Sequence, residues 1–156
     1  MSLGELLVAR DPEDIIECHG LGSCLAICVI APGAAIAGVA HTVLPSRNGS
    51  LWTEPNARFV EDAVPLLLQR MESLGAVRGR LQVKLVGGAE IVPMSGGDPR
   101  LLIGQRNIEA ARTTLREHGV KIAGEHVGGS RGRRVRLEVG SGRLTVSMAG
   151  NVSYEL

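Results

Sequence analysis

Two apolar runs on either side of a Pro-Gly turn constrain the fold of this chain more than any other feature. Residues 24–30 and 35–43 are nearly all apolar, and Ala31-Pro32-Gly33-Ala34 separates them. Runs of this length next to turn residues are typical of strands that are buried in a core. The sequence therefore predicts a buried β-hairpin over residues 24–43.

Short strands and two amphipathic helices account for the rest of the chain. Further strands are expected at residues 6–9, 15–17, 81–86, 120–122, 133–139 and 143–148, the last two joined through Gly140-Ser141-Gly142. Apolar residues at helical spacing predict helices over residues 53–74 and 104–118. Strands outnumber helices and do not alternate regularly with them. We therefore expect one α+β domain over residues 1–156, a mixed β-sheet sandwich with two main helices packed on it.

The first helix and the loops carry the clearest local signals. Thr53 is a residue type that caps helix N-termini, and Gly75 follows the pattern as a stop signal. Pro65 lies inside the pattern and removes a backbone donor, so we expect it to kink or interrupt the helix. Glycines are concentrated in loops expected at residues 46–52, 87–100 and 128–132.

Composition excludes several classes of protein. Seventeen Lys and Arg residues against 16 Asp and Glu leave no strong net charge that would favour nucleic acid or an anionic membrane. The aromatic residues are Trp52, Phe59 and Tyr154, too few for a base-stacking surface. The N-terminal residues do not resemble a signal peptide, and no apolar stretch has the length of a membrane span. With three cysteines, an odd number, we expect reduced thiols and a cytoplasmic location, without membrane insertion.

Chemistry is indicated where a glycine-rich segment, Gly20-Leu21-Gly22-Ser23, leads directly into Cys24. Glycines allow close approach of a substrate, and backbone N–H groups beside a thiol can stabilise an oxyanion. If residues 31–34 form a symmetric loop, facing residues have numbers that sum to 65, which places Cys24 opposite His41. Directly opposed Cβ atoms lie about 4.5–5.5 Å apart. The imidazole is then expected to draw the proton from the thiol and give a thiolate near neutral pH.

Other interpretations of these residues stay open at this point. Cys28 is expected to be a core residue, and Cys24 and His41 are compatible with the same role. A metal site of Cys18, His19, Cys24 and His41 is a weaker alternative, because the compact ligand spacing of zinc modules is missing. The arginines that follow the last glycine-rich loop suit either the solvated face of an edge strand or a docking surface for acidic helices. They are Arg131, Arg133, Arg134 and Arg136.

Five motifs in order resemble the chemoreceptor glutamine deamidase family, CheD. They are Gly20-Leu21-Gly22-Ser23-Cys24, Ala40-His41-Thr42-Val43-Leu44-Pro45, Gly87-Gly88-Ala89, Ile103-Gly104-Gln105-Arg106-Asn107 and Gly128-Gly129-Ser130-Arg131-Gly132-Arg133. The resemblance implies a protein-glutamine glutaminase, an amidohydrolase with Cys24 as nucleophile and His41 as base. Its substrates would be glutamine and methylated glutamate side chains of chemotaxis receptors (methyl-accepting chemotaxis proteins). It implies no metal and no cofactor.

Further residues and a partner follow from the same resemblance. Substrate-binding residues are expected at Gly22, Ser23, Gly87, Gly88, Ser130 and Arg131, although Gly87-Gly88-Ala89 also suits a plain turn. The family usually has threonine six residues before the nucleophile as a third catalytic residue, and this chain has Cys18 there. A thiol is a weaker hydrogen-bonding group than a hydroxyl. Milder departures are Ser130, often asparagine in the family, and Pro65. A CheC-type phosphatase is the implied partner, so a binding and regulatory role without catalysis is the second hypothesis.

Overall fold

The structure is a computed structural model that describes residues 1–90, 102–149 and 152–156. These residues form nine strands and two α-helices. In chain order the elements are β1 (Leu6–Ala9), β2 (Ile15–Leu21), β3 (Leu25–Ala31), β4 (Ile36–Thr42), α1 (Val60–Ser73), β5 (Gln82–Gly87), α2 (Ile103–Glu117), β6 (Ile122–Val127), β7 (Arg133–Glu138), β8 (Leu144–Met148) and β9 (Val152–Glu155).

The strands form two sheets, which confirms the predicted α+β sandwich. Sheet 1 has the order β1-β4-β3-β5-β6 and is mixed, because β5 and β6 are parallel and the other pairs antiparallel. Sheet 2 has the order β2-β7-β8-β9 and is antiparallel. One apolar core lies between the helices and sheet 1, and a second lies between the two sheets. Sheet 1 is thus the middle layer.

The predicted hairpin is β3–β4, and its position in the middle layer explains its composition. Every residue of both strands is buried. Leu25, Ile27 and Val29 face the helices, whereas Ala26 and Cys28 face sheet 2. A strand with an apolar layer on each side needs apolar residues at successive positions, which is why the run is continuous rather than alternating.

The centre of the loop in this hairpin lies one residue further along the chain than predicted, which changes the register of the two strands. Ala31 pairs with Ile36, so facing residues sum to 67 and His41 lies opposite Ala26, not Cys24. The loop between the strands holds four residues, 32–35, and Ala35 takes a positive φ of 47° to close it. Cys24 precedes Ala26 by two residues, so it is the diagonal neighbour of His41 on the same face.

The first helix also begins later than predicted. It starts at Val60 rather than after Thr53, because Pro55 disfavours the helical conformation of the residue before it. The backbone N–H of Asn56 instead donates to the Asp62 carboxylate. The helix then runs through Pro65 without a break, contrary to the expected interruption. The carbonyl of Glu61, which loses its usual donor, belongs to a partly exposed residue and can be hydrated.

The C-terminal half contains the remaining differences. Helix α2 and strands β5, β7 and β8 lie within one residue of their predicted bounds. Strand β6 begins at Ile122, where the prediction ended, and β9 is a further strand of four exposed residues that was not predicted. Strand β7 lies inside sheet 2, so the edge-strand interpretation of the arginines is wrong. The predicted loop 87–100 lies outside the described residues from residue 91 onward.

Candidate active site

Cys24 lies where the chain crosses from one sheet to the other. Strand β2 belongs to sheet 2 and ends at Leu21, whereas β3 belongs to sheet 1 and begins at Leu25. The register of β2 against β7 shifts between Cys18 and Leu21, and Gly20 has a φ of 72°. A shift of this kind turns a strand out of its sheet. The crossing therefore presents a partly exposed Cys24 at the rim of the layer between the sheets.

His41 reaches the same layer from β4. Its side chain points away from the helices, like that of its partner Ala26, and is only 2% exposed. Residues 4 and 5 continue alongside β4: Gly4 N–H donates to the His41 carbonyl at 2.9 Å, and His41 N–H donates to the Glu5 carbonyl at 2.9 Å. Neither imidazole nitrogen makes a hydrogen bond of good geometry within the described chain, although the backbone of Met1 and Ser2 lies close enough to raise the pKa of His41 in part. Buried polar atoms without partners are costly, and such exceptions are concentrated at functional positions.

Cys18 completes a group of three side chains in the layer between the sheets. It pairs with Val135 on β7, is 0% exposed, and belongs to the apolar cluster against which Cys24 packs. Burial raises the pKa of the Cys18 thiol to about 12, so this side chain is neutral. The structure thus places Cys18, Cys24 and His41 on faces that line the layer between the sheets, with Cys24 the most accessible of the three.

The protonation states differ from the expected thiolate. Burial raises the pKa of the Cys24 thiol above its ordinary value, although the positive charge of Arg58 lowers it in part. Burial and the Met1 amino group lower the pKa of His41. Both shifts favour the neutral forms. Near neutral pH both groups are therefore uncharged, Cys24 as a thiol and His41 as a neutral imidazole.

The Gly87-Gly88-Ala89 segment binds the loop of Cys24 through its backbone. Gly88 N–H donates to the Cys24 carbonyl at 2.7 Å, and Ala89 N–H donates to the Gly22 carbonyl at 2.8 Å. Gly87 has a φ of 120°, and a Cβ there would lie 2.3 Å from the Cys24 carbonyl oxygen. Only glycine allows this approach. Gly22 also has a structural role, since its N–H donates to the Gly20 carbonyl at 2.9 Å.

Asn107 is a site residue to which sequence reasoning gave no role. It lies on α2, is 0% exposed, and its Nδ2 donates to the Ser23 carbonyl at 2.9 Å and to the Val43 carbonyl at 3.0 Å. The Ser23 carbonyl directly precedes Cys24 in the chain, and the Val43 carbonyl belongs to the second residue after His41. One side chain therefore links the loop of Cys24 to the end of the strand that carries His41. Its Oδ1 is buried without a partner among the described residues. A signal was present, because Asn107 lies on the inward stripe of α2 four residues before Ala111.

Ser130 and Arg131, predicted to bind substrate, lie in the loop before β7, and the buried residue that follows them is Arg133. Both are exposed, and neither makes a described hydrogen bond to Cys24 or His41. Arg133 is buried and donates to the carbonyl of Gly128 at 2.6 Å, to that of Gly87 at 3.5 Å, and to Nδ1 of His126 at 2.8 Å. Arg133 therefore links the loops that contain Gly87 and Gly128, which lie beside the loop of Cys24.

The alternative metal site is not formed. His19 points to the outer face of sheet 2, where its Nε2 lies 3.4 Å from a Glu17 carboxylate oxygen. In the described ranges, no three His, Cys, Asp or Glu side chains are grouped as metal ligands would be. Neither α-helix of those ranges is long and apolar enough to cross a membrane.

Comparison with known proteins identifies the family of this chain. Residues 43–148 match the family described as CheD chemotactic sensory transduction. The match begins two residues after His41, but similarity to individual proteins extends across the whole chain. The chain belongs to the CheD family.

The relatives carry a specific activity in their names. The chain is 36% identical over 157 residues to a probable chemoreceptor glutamine deamidase CheD of Symbiobacterium thermophilum, which covers 100% of this chain and 95% of that protein. It is 34% identical over 150 residues to the chemoreceptor glutamine deamidase CheD of Thermotoga maritima, covering 96% and 91%. It is 39% identical over 147 residues to a probable deamidase of the same name from Archaeoglobus fulgidus, covering 94% and 90%.

Proposed function

We propose that this chain is a protein-glutamine deamidase of chemotaxis receptors, with Cys24 as nucleophile and His41 as general base. The observation that carries the proposal is the placement of Cys24 and His41 on one face of sheet 1, at a rim where the thiol is accessible. The names of the relatives supply the substrate class. Residues 1–156 form the single catalytic domain in this proposal.

The chemistry is acyl transfer through a thioester. His41 takes the Cys24 proton while the sulfur attacks the carboxamide carbon of a glutamine side chain. Backbone N–H groups of Ser23 and Cys24 are the donors proposed for the oxyanion, since the Gly22 N–H already donates within the turn. His41 returns the proton to the leaving ammonia. A water molecule activated by His41 then hydrolyses the thioester to glutamate, and the same steps would release methanol from methylated glutamate.

Cys18 is the third residue of the proposed site. It is buried against the same cluster as Cys24, on the opposite sheet. A neutral thiol there offers only a weak hydrogen bond to orient the imidazole. We therefore propose that it limits the rate of catalysis rather than the binding of substrate.

Ammonia release from cytoplasmic receptor fragments tests the proposal. Cys24→Ala should abolish release, and His41→Ala should reduce it by at least about a hundredfold. Cys28→Ala is the matched control, because Cys28 lies on the same face of β3 but is fully enclosed in the core. Retained activity in Cys24→Ala would refute the assignment of the nucleophile.

A regulatory role through a CheC-type phosphatase is the second candidate, and the weakened third residue is the observation that favours it. In this case the wild-type chain would bind the phosphatase but release no ammonia above the Cys24→Ala background. A pull-down with the phosphatase, run beside the ammonia assay, separates the two functions. Both take place in the cytoplasm in this proposal.

A further inference from the structure

A loop next to the candidate site exposes apolar side chains. Leu51 is 100% exposed and Trp52, the single tryptophan of the chain, is 56% exposed. The guanidinium carbon of Arg58 lies 5.7 Å from the centroid of the Trp52 ring, which is within the range of a cation–π contact. An exposed tryptophan held by an arginine is a common composition for the centre of a protein interface.

The backbone fixes the side on which Arg58 projects. The Arg58 carbonyl accepts from the N–H groups of Val43 and Leu44 at 2.8 and 3.1 Å, and Phe59 forms a bridge with Leu44. Phe59 therefore shares a face with Leu44 and Thr42, the face that is turned toward the helices. Because successive residues of an extended chain alternate, Arg58 projects on the opposite face. That face also carries His41 and Cys24.

Arg58 has no carboxylate partner among the described residues. The neighbouring acids of α1 are already used, since Glu61 accepts from the backbone N–H of Arg47 and Asp62 forms an ion pair with the Arg47 guanidinium. The charge of Arg58 instead acts on Cys24, whose pKa it lowers. In the other arginine group, Arg136 pairs with Glu17 and Glu138, and Arg133 is buried, whereas Arg131 and Arg134 are exposed. Arg58 is thus a cation beside the nucleophile that is available to an anion.

We propose that Arg58 and Trp52 form the docking surface for the substrate, and that they select a glutamine flanked by an acidic residue on an amphipathic helix. Arg58 pairs with the flanking carboxylate, and Trp52 with Leu51 contacts the apolar face of the helix. This inference rests on the proposed deamidase function. The occupant is set by charge complementarity, because an unpaired cation and an apolar side chain lie side by side next to the thiol.

A double-mutant cycle between enzyme and substrate tests the pairing. The substrates are two receptor cytoplasmic fragments with one target glutamine each, one with its flanking glutamate and one with that residue changed to alanine. We expect Arg58→Ala to lower kcat/KM about tenfold more for the first fragment than for the second, and the difference to shrink in high salt. Arg58→Lys should restore most of the preference. Arg134→Ala, an exposed arginine on the outer face of sheet 2, is the control and should change neither fragment.

Two outcomes would overturn the inference. Equal losses for both fragments would show that Arg58 acts on Cys24 alone, and unchanged rates would show that it does not contact the substrate. Trp52→Ala should raise KM for both fragments without lowering kcat, and an unchanged KM would remove Trp52 from the surface. Cys24→Ala is assayed in parallel. If it releases ammonia the proposed function fails, whereas an inactive Cys24→Ala with no coupling at Arg58 refutes the docking surface only.

Discussion

Replacing Asn107 by leucine should separate catalysis from stability. The substitution keeps the volume of the side chain but removes the Nδ2 group that bonds the Ser23 and Val43 carbonyls. Leaving a carbonyl without its donor away from water costs about 1–3 kcal/mol, so the two partly buried carbonyls of Ser23 and Val43 together cost at most about 4 kcal/mol. Removing Oδ1, which is buried without a partner in the described chain, returns about 2 kcal/mol on the same scale. We expect a net loss of at most about 2 kcal/mol.

The fall in kcat should be much larger than the loss of folded protein that this stability change would cause. Without Asn107, the loop of Cys24 and the strand of His41 are no longer held by a common side chain. A misplacement of about 1 Å between reacting groups can cost about a hundredfold in rate. We therefore expect kcat to fall by about ten- to a hundredfold, with KM within about twofold of wild type.

Urea denaturation and ammonia release on the same preparations provide the two measurements. A loss of about 2 kcal/mol corresponds to a decrease of about 4–8 °C in Tm for a chain of this size. Leu115→Ala is the control, because Leu115 is buried near the C-terminal end of α2, whereas Asn107 lies near its start. It should cost about 2–5 kcal/mol and leave kcat unchanged in the folded protein. If Asn107→Leu loses stability but retains the kcat of that control, Asn107 does not position the pair.

Four other predictions concern the thiols, the loop and pH. Iodoacetamide should modify Cys24 before Cys28, as read by peptide mass spectrometry, because Cys28 is fully buried; equal labelling would contradict the assignment. Cys18→Thr should raise kcat about tenfold without changing KM, since a hydroxyl orients the imidazole better, and a fall in kcat would show that the thiol has its own role. Gly87→Ala should abolish activity and destabilise the fold, measured by Tm, because its Cβ would lie 2.3 Å from the Cys24 carbonyl oxygen. Burial lowers the pKa of His41 below 6.5 and raises the pKa of Cys24 above 9.0. We therefore expect kcat/KM to stay level between pH 6.5 and pH 9.0 and to decline only outside that range. A plateau of kcat/KM that ends near neutral pH would instead indicate a preformed thiolate–imidazolium pair.

The sequence predicted elements that depend on local pattern. The β3–β4 hairpin was clear because both strands are buried on two faces, and α2 was clear from its inward stripe. The register was not predictable, because the positive φ of Ala35 that completes the loop has no residue-type signal. The start of α1 was missed for a related reason, since the pattern of apolar residues continued through a loop that Pro55 and Asn56 hold out of the helix.

The site was predictable only where its residues are close in the chain. Cys24 was indicated by the glycines beside it. His41 was indicated through an assumed hairpin register that the structure does not have, since His41 lies opposite Ala26 and shares only a face with Cys24. Asn107 lies 84 residues from Ser23 and 64 from Val43 in sequence, so its contacts come from tertiary packing alone. Arg58 was hidden for the same reason. The arginines that attracted notice, Arg131 to Arg136, form a sequence cluster whose members point to different places.

The crossing from sheet 2 to sheet 1 also limits how the chain tolerates insertions. Five residues separate Cys18 in sheet 2 from Cys24, which directly precedes strand β3 of sheet 1. A residue added after Gly22 would allow both sheets to keep their own pairing. If the extra residue were taken up within β3, every side chain of that strand would change face, and Cys24 would turn toward the helices, away from His41. The length of this short connection, rather than the identity of its residues alone, therefore determines whether a folded chain of this architecture is active.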